Sequence, residues 1–440
     1  MSKSNKTREF LSWGRHPRPL NQGALKIRSL GQPLPTPANE AKVLPYGLGR
    51  SYGDSCLNDD NFVIPVAGFD NFISFNASTG VLRAEAGVSL ASILATFVPK
   101  GWFLPVSPGT KFVTLGGAIA NDIHGKNHHV AGTFGRHVER FELLRSTGER
   151  LICSPTENTE LFKATIAGLG LTGLITWVDL KLIPIKSPYL DTETIKFRNL
   201  DEFFDISRES DERFEYSVSW VDCTTEGDGL GRGLFMAGNF SQSTKPSKRP
   251  NLSIPFPCEA PGWLLNSLFM KSFNTLYYNK QFNRVVKGLT HYEPFFYPLD
   301  AILNWNKMYG KRGFFQYQLV VPFESDRGII KEIFSRITKS KRASFLAVLK
   351  TFGDVASPGM LSFPRKGVTL ALDFPNDGQP TLDLMNQLDS VVFQAGGALY
   401  AAKDARMSPA SFLSSYPRVE EFKRFIDPAF SSSLWRRVTE

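Results

Sequence analysis

Four of the chain's six histidines, His124, His128, His129 and His137, lie in one glycine-studded stretch, DIHGKNHHVAGTFGRHV, at residues 122–138. Imidazoles gathered this way can ligate a metal, move protons near neutral pH, or hydrogen-bond a crowded backbone. A metal would need two rings on one helical face with carboxylate or thiolate company. Gly125 and the lack of nearby acids beyond Asp122 oppose that, so no metal is expected. Cys56, Cys153, Cys223 and Cys258 are far apart, with no CxxC pair. That spacing argues against a zinc or dithiol motif and suits reduced thiols in the cytoplasm.

Two glycine loops suggest anion chemistry. In LPYGLGRSYGDS (44–55), Gly47, Gly49 and Gly53 surround Arg50, Ser51 and Tyr52 directly after an apolar run. Glycines allow positive φ and close approach, so backbone N–H groups can converge on an anion. SPGTKFVTLGGAIANDIHGKNHH (107–129) is a second such segment, and the two together can clasp a pyrophosphate. GLGLTG (168–173) satisfies GxGxxG, but a helix precedes it and a strand follows, the reverse of the dinucleotide fingerprint. It reads as a tight helix-to-strand connection. Lys350 in AVLKTFG takes an interior strand position, where a lone ammonium is costly unless it meets an anion or another polar group. Gln316 and Gln318 alternate on one face of FFQYQLVVP.

The elements that must position these residues read as α+β. VLRAEAGVSL leads from a strand into the helix SLASILATFVPKG, and HVERFELLRSTGERLICS reads as a hairpin. SPTENTELFKATIAG reads as a helix with Ser154 as N-cap, Pro155 in its first turn and Gly168 at its end. LITWVDLKLIPI follows as a long strand. Beyond residue 187, FEYSVSWVDC, GRGLFMAGNF, GFFQYQLVVP, SFLAVLKTFG and VTLALDFP are five candidate strands, with helices at ESDRGIIKEIFSRIT and TLDLMNQLDSVVFQAGG. That pattern predicts a second unit with a largely antiparallel sheet covered by helices.

Charge is uneven. Residues 229–292 carry eight Lys and Arg against Glu259 alone, so this window supplies +7 of the net +9. Basic character confined to one region does not suit a nucleic-acid binder, and no nucleic-acid partner is expected. Neither a signal peptide's apolar core nor about 18 consecutive apolar residues occurs, so a cytoplasmic protein without a transmembrane span is expected. Lys245, Lys248 and Arg249, with Trp263, Leu264, Leu265, Leu268 and Phe269 after them, suit peripheral docking on an anionic membrane face.

The paired loops, the hairpin, ELFKATIAGLGLTGLIT and the long strand resemble the FAD domain of the vanillyl-alcohol-oxidase (PCMH-type) superfamily. Within it, GLGRSYGDS, DIHGKNHH, FFYPLD, FFQYQLVVP, ALYAAKDAR and YPRVEEF, in this order along the chain, resemble the decaprenylphosphoryl-β-D-ribose 2′-oxidase family. The resemblance implies a two-lobed FAD-binding domain (1–186), a substrate domain (187–397) and a C-terminal segment (398–440) returning to the first. It implies an enzyme that oxidises C2 of a polyprenyl-phosphate-linked ribose to the keto sugar. A short-chain NAD(P)H-dependent reductase would then complete an epimerisation to the arabinose form used in cell-wall arabinan.

Lys403, His124 and Tyr52 are the catalytic candidates, and Gln318, Lys350, Tyr297, Gln316 and Thr369 the substrate contacts. FAD would contact Gly47, Gly49, Arg50, Ser51, Tyr52 and Gly53 in the first loop. In the second it would contact Pro108, Gly109, Thr110, Gly116, Gly117, Asn121, Gly125, Asn127 and His128, with Gly173 and Ile175 beyond. Some superfamily members attach FAD through a His in the first loop, where this chain has Arg50, or through a Cys in the second. No cysteine lies between Cys56 and Cys153, so non-covalent FAD is expected. Mycobacterial members commonly carry Cys and Asn where this chain has Ala371 and Thr369, which puts the pocket's shape in question. A soluble alditol or aldonolactone oxidase is the competing reading; those relatives often hold FAD covalently, against which Arg50 speaks.

Overall fold

The computed structural model describes residues 10–35, 37, 40–243, 254–261, 265–323, 326–342 and 344–440. Lys245, Lys248, Arg249, Trp263 and Leu264 lie outside the described residues.

Two small sheets form the first part of the chain. A parallel one has the order β1 (Gly23–Ala24), β3 (Phe62–Pro65), β2 (Val43–Tyr46). An antiparallel one runs β4 (Phe72–Asn76), β5 (Val81–Glu85), β9 (Leu174–Lys181), β7 (Val138–Leu144), β8 (Arg150–Cys153). The short strands β6 (Trp102–Phe103) and β10 (Ile183–Pro184) pair beside it. The expected hairpin is β7–β8, with Leu144 opposite Arg150 across the turn. The helix expected in SLASILATFVPKG spans Leu90–Phe97, and Ser89 caps it by accepting from the Ser92 N–H.

The helix expected in SPTENTELFKATIAG differs at both ends, stopping short of Gly168 with Ile166 as its C-cap. It spans Thr159–Thr165 with Asn158 as N-cap, and neither Ser154 nor Pro155 belongs to it. Ser154 Oγ instead accepts from the N–H groups of Thr156 and Glu157, closing a local turn that competes with helix initiation.

The eight-stranded antiparallel sheet uses all five strands expected beyond residue 187. They are β12 (Tyr216–Val221), β13 (Gly233–Phe240), β17 (Phe314–Val321), β18 (Ala347–Phe352) and β19 (Gly367–Pro375). Three more, β11 (Tyr189–Phe197), β15 (Val285–His291) and β20 (Ala398–Leu399), complete the order β15-β11-β13-β12-β18-β19-β17-β20. The polar β11 and the edge strand β15, with five exposed residues in a row, lack the alternation that identifies a half-buried strand. Outside this sheet, β14 (Ile254–Pro255) pairs in parallel with β16 (Ile302–Leu303).

Alternation decides what each face of the large sheet carries. Leu319, Leu349, Leu370 and Leu372 share an apolar core with Ile330, Phe334, Leu384 and Leu388 of the helices Asp326–Ser340 and Gln379–Gln394. Their sequence neighbours Gln316, Gln318, Lys350, Thr369 and Ala371 face the other way, into a cleft. After β20 the chain returns to the first loop: Phe430 bridges Val43, and the Ser433 N–H donates to the Leu57 carbonyl at 2.8 Å.

Candidate active site

The cleft runs between the glycine loops and the polar face of the large sheet. Gly49 has φ 60°, and a Cβ there would lie 2.1 Å from the Tyr46 hydroxyl oxygen, so only glycine fits. No described residue accepts from the backbone N–H of Gly49, Arg50 or Ser51. The Arg50 guanidinium lies over the Trp13 ring at 4.0 Å, and its buried Nε has no partner. Burial lowers its pKa, against the pull of Asp300. A half-buried guanidinium with an unpartnered Nε beside a row of free N–H donors fits the diphosphate of FAD. Pro108, Gly109, Thr110, Gly116, Gly117, Asn121 and Gly125 line the same cleft, as do Gly173 and Ile175.

The histidines divide by role. His129 and His137 bind the carbonyls of Phe214 and Ala131 through Nε2, at 2.9 and 3.0 Å, and hold the loop's shape. Asp122 anchors it further, accepting from the Gly135 N–H at 2.8 Å and the Ser362 hydroxyl at 2.6 Å. His124 alone of the four faces the cleft. Its Nε2 lies 3.0 Å from Gln318 Nε2, and since an amide NH₂ only donates, His124 accepts. Burial, then Lys350, His128 and Lys403, hold its pKa well below the usual range, so the ring is neutral. Gln318 also donates to Thr369 Oγ1 at 3.3 Å, and Thr369 donates to the Leu319 carbonyl at 2.7 Å. This chain of donors fixes which end of the amide faces His124.

Lys403 approaches from the turn after β20. Its backbone N–H donates to the Tyr400 carbonyl at 2.9 Å, and the Tyr400 hydroxyl donates to the Asn121 carbonyl at 2.8 Å, tying the turn to the second loop. The Lys403 ammonium lies 3.8 Å over the Tyr52 ring. Burial pushes it down to about 7, while Asp373 pulls the other way. Asp373 stands opposite Gln316 in the β17–β19 register and accepts from its Nε2 at 2.7 Å. Burial raises this carboxyl to about 7 as well. Tyr52, with its pKa raised by burial and then by Asp373, stays a neutral phenol. The assembly is an ammonium group, two neutral hydrogen-bonding rings and a primary amide converging in one cleft, an arrangement that can grip a polyol and stabilise negative charge.

A family model described as an FAD binding domain matches residues 36–154. The decaprenylphosphoryl-β-D-ribose oxidase of Mycolicibacterium smegmatis is 36 % identical over 414 residues, covering 90 % of this chain and 89 % of that protein. The chain belongs to the decaprenylphosphoryl-β-D-ribose oxidase family. It is an FAD-dependent oxidoreductase. An uncharacterised Streptomyces coelicolor protein encoded in the mprA 5′ region is 30 % identical over 80 % of this chain and 100 % of its own length. A putative D-arabinono-1,4-lactone oxidase of Neurospora crassa is 29 % identical over only 32 % of this chain and 25 % of its own.

Not every residue carried over from the family resemblance reaches the cleft wall. Gly53, Asn127, His128 and Tyr297 do not. A Cβ on Gly53 would stand 1.6 Å from the Asp404 carbonyl oxygen, so this glycine lets the first loop pack on the Lys403–Asp404 turn. Asn127 donates to the Pro105 carbonyl at 2.9 Å, pinning the second loop to itself. Tyr297 is buried behind Ser107, to whose hydroxyl it is hydrogen-bonded, and Ser107 is the one that lines the cleft. His128, expected to contact FAD, has no partner on either ring nitrogen, and the ring packs on Phe352 at 4.5 Å.

Asp373 and Lys126 are site residues that the sequence reading passed over. Asp373 was legible in VTLALDFP, two places beyond Ala371 on the same strand face. Lys126 sits in the histidine stretch, and nothing local distinguishes it from a solvated loop lysine. Ala371 lines the cleft opposite Gln318. No group of His, Cys, Asp and Glu suited to a metal occurs among the described residues.

Proposed function

We propose that this enzyme removes hydride from C2 of decaprenylphosphoryl-β-D-ribose, giving the 2-keto sugar as the first half of an epimerisation to the arabinose form. The observation that carries this reading is the convergence of Lys403, Tyr52, Gln318 and His124 in one cleft, in a chain similar over its length to that oxidase. FAD, when bound, supplies the two-electron acceptor. Arg50 and the free N–H groups of residues 49–51 would hold its diphosphate, and Lys403 would supply positive charge that favours its reduced form. Gln318, oriented by His124 and Thr369, grips a ribose hydroxyl. Gln316 and Asp373 steady the Tyr52 side of the pocket.

We take residues 1–186 with the C-terminal segment as the flavin lobe and 187–397 as the substrate lobe. A short-chain NAD(P)H-dependent reductase consumes the keto product. Titrating the oxidised enzyme with a short prenyl-phosphoryl ribose should bleach the visible flavin band, while soluble alditols and aldonolactones leave it unchanged. Bleaching by the soluble polyols alone would favour the aldonolactone-oxidase reading.

FAD is held without a covalent bond. Arg50 replaces the attachment histidine, and the Cys56 thiol, at the cleft wall, is pushed up to about 12 by burial and then Asp54, which leaves it a poor nucleophile. Precipitating the polypeptide with acid should therefore leave the yellow colour in the supernatant; colour in the pellet would contradict this.

The enzyme works at an anionic membrane surface. No described helix is long and apolar enough to cross a membrane. The helix Ser267–Asn279 buries only Met270, Asn274 and Tyr278 and exposes Leu268 and Leu276, each at 73 %. Phe282, at 94 %, and Val285, Val286 and Leu289 of β15 are exposed as well, with Lys271, Lys280 and Arg284 nearby in sequence. Apolar groups inserting shallowly among basic residues are the pattern of an interfacial anchor. Flotation with vesicles containing phosphatidylglycerol should carry the protein upward at low salt and lose it when Leu268, Leu276 and Phe282 become Ser. No flotation of the unaltered protein would remove this part of the reading.

A further inference from the structure

Three lysines, Lys126, Lys350 and Lys403, line one cleft. Each is half-buried, and burial pushes each down to about 7. Charge matching separates them. Lys403 has an acid acting on it, Asp373. Lys350 has none: after burial, the charges acting on it are Lys126 and Lys403, both repulsive. Its one hydrogen bond, 2.7 Å to the Gly125 carbonyl, does not neutralise it. The Lys126 carbonyl accepts from the Ser217 N–H at 2.9 Å, but its ammonium has no hydrogen-bond or ion-pair partner among the described residues and stands 5.1 Å from the Phe295 ring centroid. Two like charges desolvated together without a counter-ion are unfavourable, and a bound anion is the usual resolution.

We infer that Lys126 and Lys350 form a seat for the phosphate of a lipid-phosphate substrate, set apart from the Lys403 end of the cleft where the sugar is oxidised. This rests on the proposed substrate and adds where its phosphate lies. Lys350 is hydrogen-bonded to the carbonyl of Gly125, the chain neighbour of Lys126, so the two ammonium-bearing residues meet at the second loop, and a sugar bound at Lys403 and Gln318 directs its phosphate toward them. The surroundings favour an organic phosphate over the free ion. Val218 and Phe296 line this part of the wall beside Lys126, and Phe295 packs behind it, a setting that accepts the first carbons of a prenyl chain.

The test uses the holoenzyme and three probes, farnesyl phosphate, farnesol and inorganic phosphate, read by the shift of the bound flavin's visible spectrum. Farnesyl phosphate should bind at least about 10-fold more tightly than either other probe. Lys126→Gln should weaken farnesyl phosphate by about 10-fold and leave farnesol unchanged, with flavin content intact, and Lys126→Arg should restore binding. Equal binding of farnesyl phosphate and farnesol by the unaltered enzyme would overturn the seat, and so would a Lys126→Gln variant that weakens both probes alike. Inorganic phosphate binding as tightly as farnesyl phosphate would overturn the lipid assignment. If prenyl-phosphoryl ribose fails to reduce the flavin while the preference for farnesyl phosphate holds, the proposed oxidation falls and the phosphate seat stands.

Discussion

Replacing Lys403 by alanine slows substrate-driven bleaching of the bound flavin by about 10²-fold or more, with fold and flavin content retained. The size follows from losing one preorganised charge in a water-poor site, where such donors contribute about 3 kcal/mol to barrier lowering. Flavin retention follows from geometry, because Arg50 and the glycine loops lie on other elements. The loss should fall mainly on the rate of reduction and much less on substrate affinity, since positive charge matters most where negative charge develops. Lys403→Arg keeps the charge and should recover part of the rate. Stopped-flow reduction kinetics decide the matter: near-normal rates in Lys403→Ala would remove this residue from the mechanism.

The second large effect is on stability. Arg437, in the helix Ser433–Thr439, grips Asp54 beside the first loop with two bonds of 2.8 Å and Asp404 beside Lys403 with one of 2.9 Å. Asp404 in turn accepts from the N–H groups of Arg406 and Met407, at 3.0 and 2.8 Å. Both carboxylates are nearly buried, at 4 % and 6 % side-chain exposure. Removing the arginine leaves two acids without their cation, which costs about 3 kcal/mol or more for a buried pair. Arg437→Ala should therefore lower the urea midpoint markedly. It should also slow flavin reduction, because the turn that presents Lys403 loses its tie. A midpoint shift worth less than about 0.5 kcal/mol, the size of an ordinary surface change, would show that the triad is not a stabilising clamp.

The sequence by itself determined the local elements and the character of the loops. Alternating apolar residues marked β17, β18 and β19, because a strand packed on helices must be greasy on every second residue. The glycine loops were legible because only glycine permits their backbone path, as at Gly49. The family resemblance, carried by motifs spread along the chain, added the expected cofactor and the importance of Lys403. Where local signals compete, the pattern along the chain is ambiguous. Ser154 resembled a helix cap and instead closed a turn, and β15 escaped notice because an exposed edge strand has no buried face to impose a period.

The tertiary structure alone decided which polar residues meet. Asp373 and Gln316 are 57 positions apart in sequence and become partners only through the β17–β19 register. His124 reaches Gln318 across 194 positions because the second loop packs on the sheet's polar face. Tyr297 looked like a pocket residue from its motif, yet the packing of Ser107 put it behind the wall. Burial then set the charges. Lys126, Lys350 and Lys403 are ordinary lysines in the sequence, and they become unusual only because the fold strips water from all three together and supplies an acid to one. Desolvation and charge pairing depend on which surfaces are brought into contact, and no pattern along the chain encodes them.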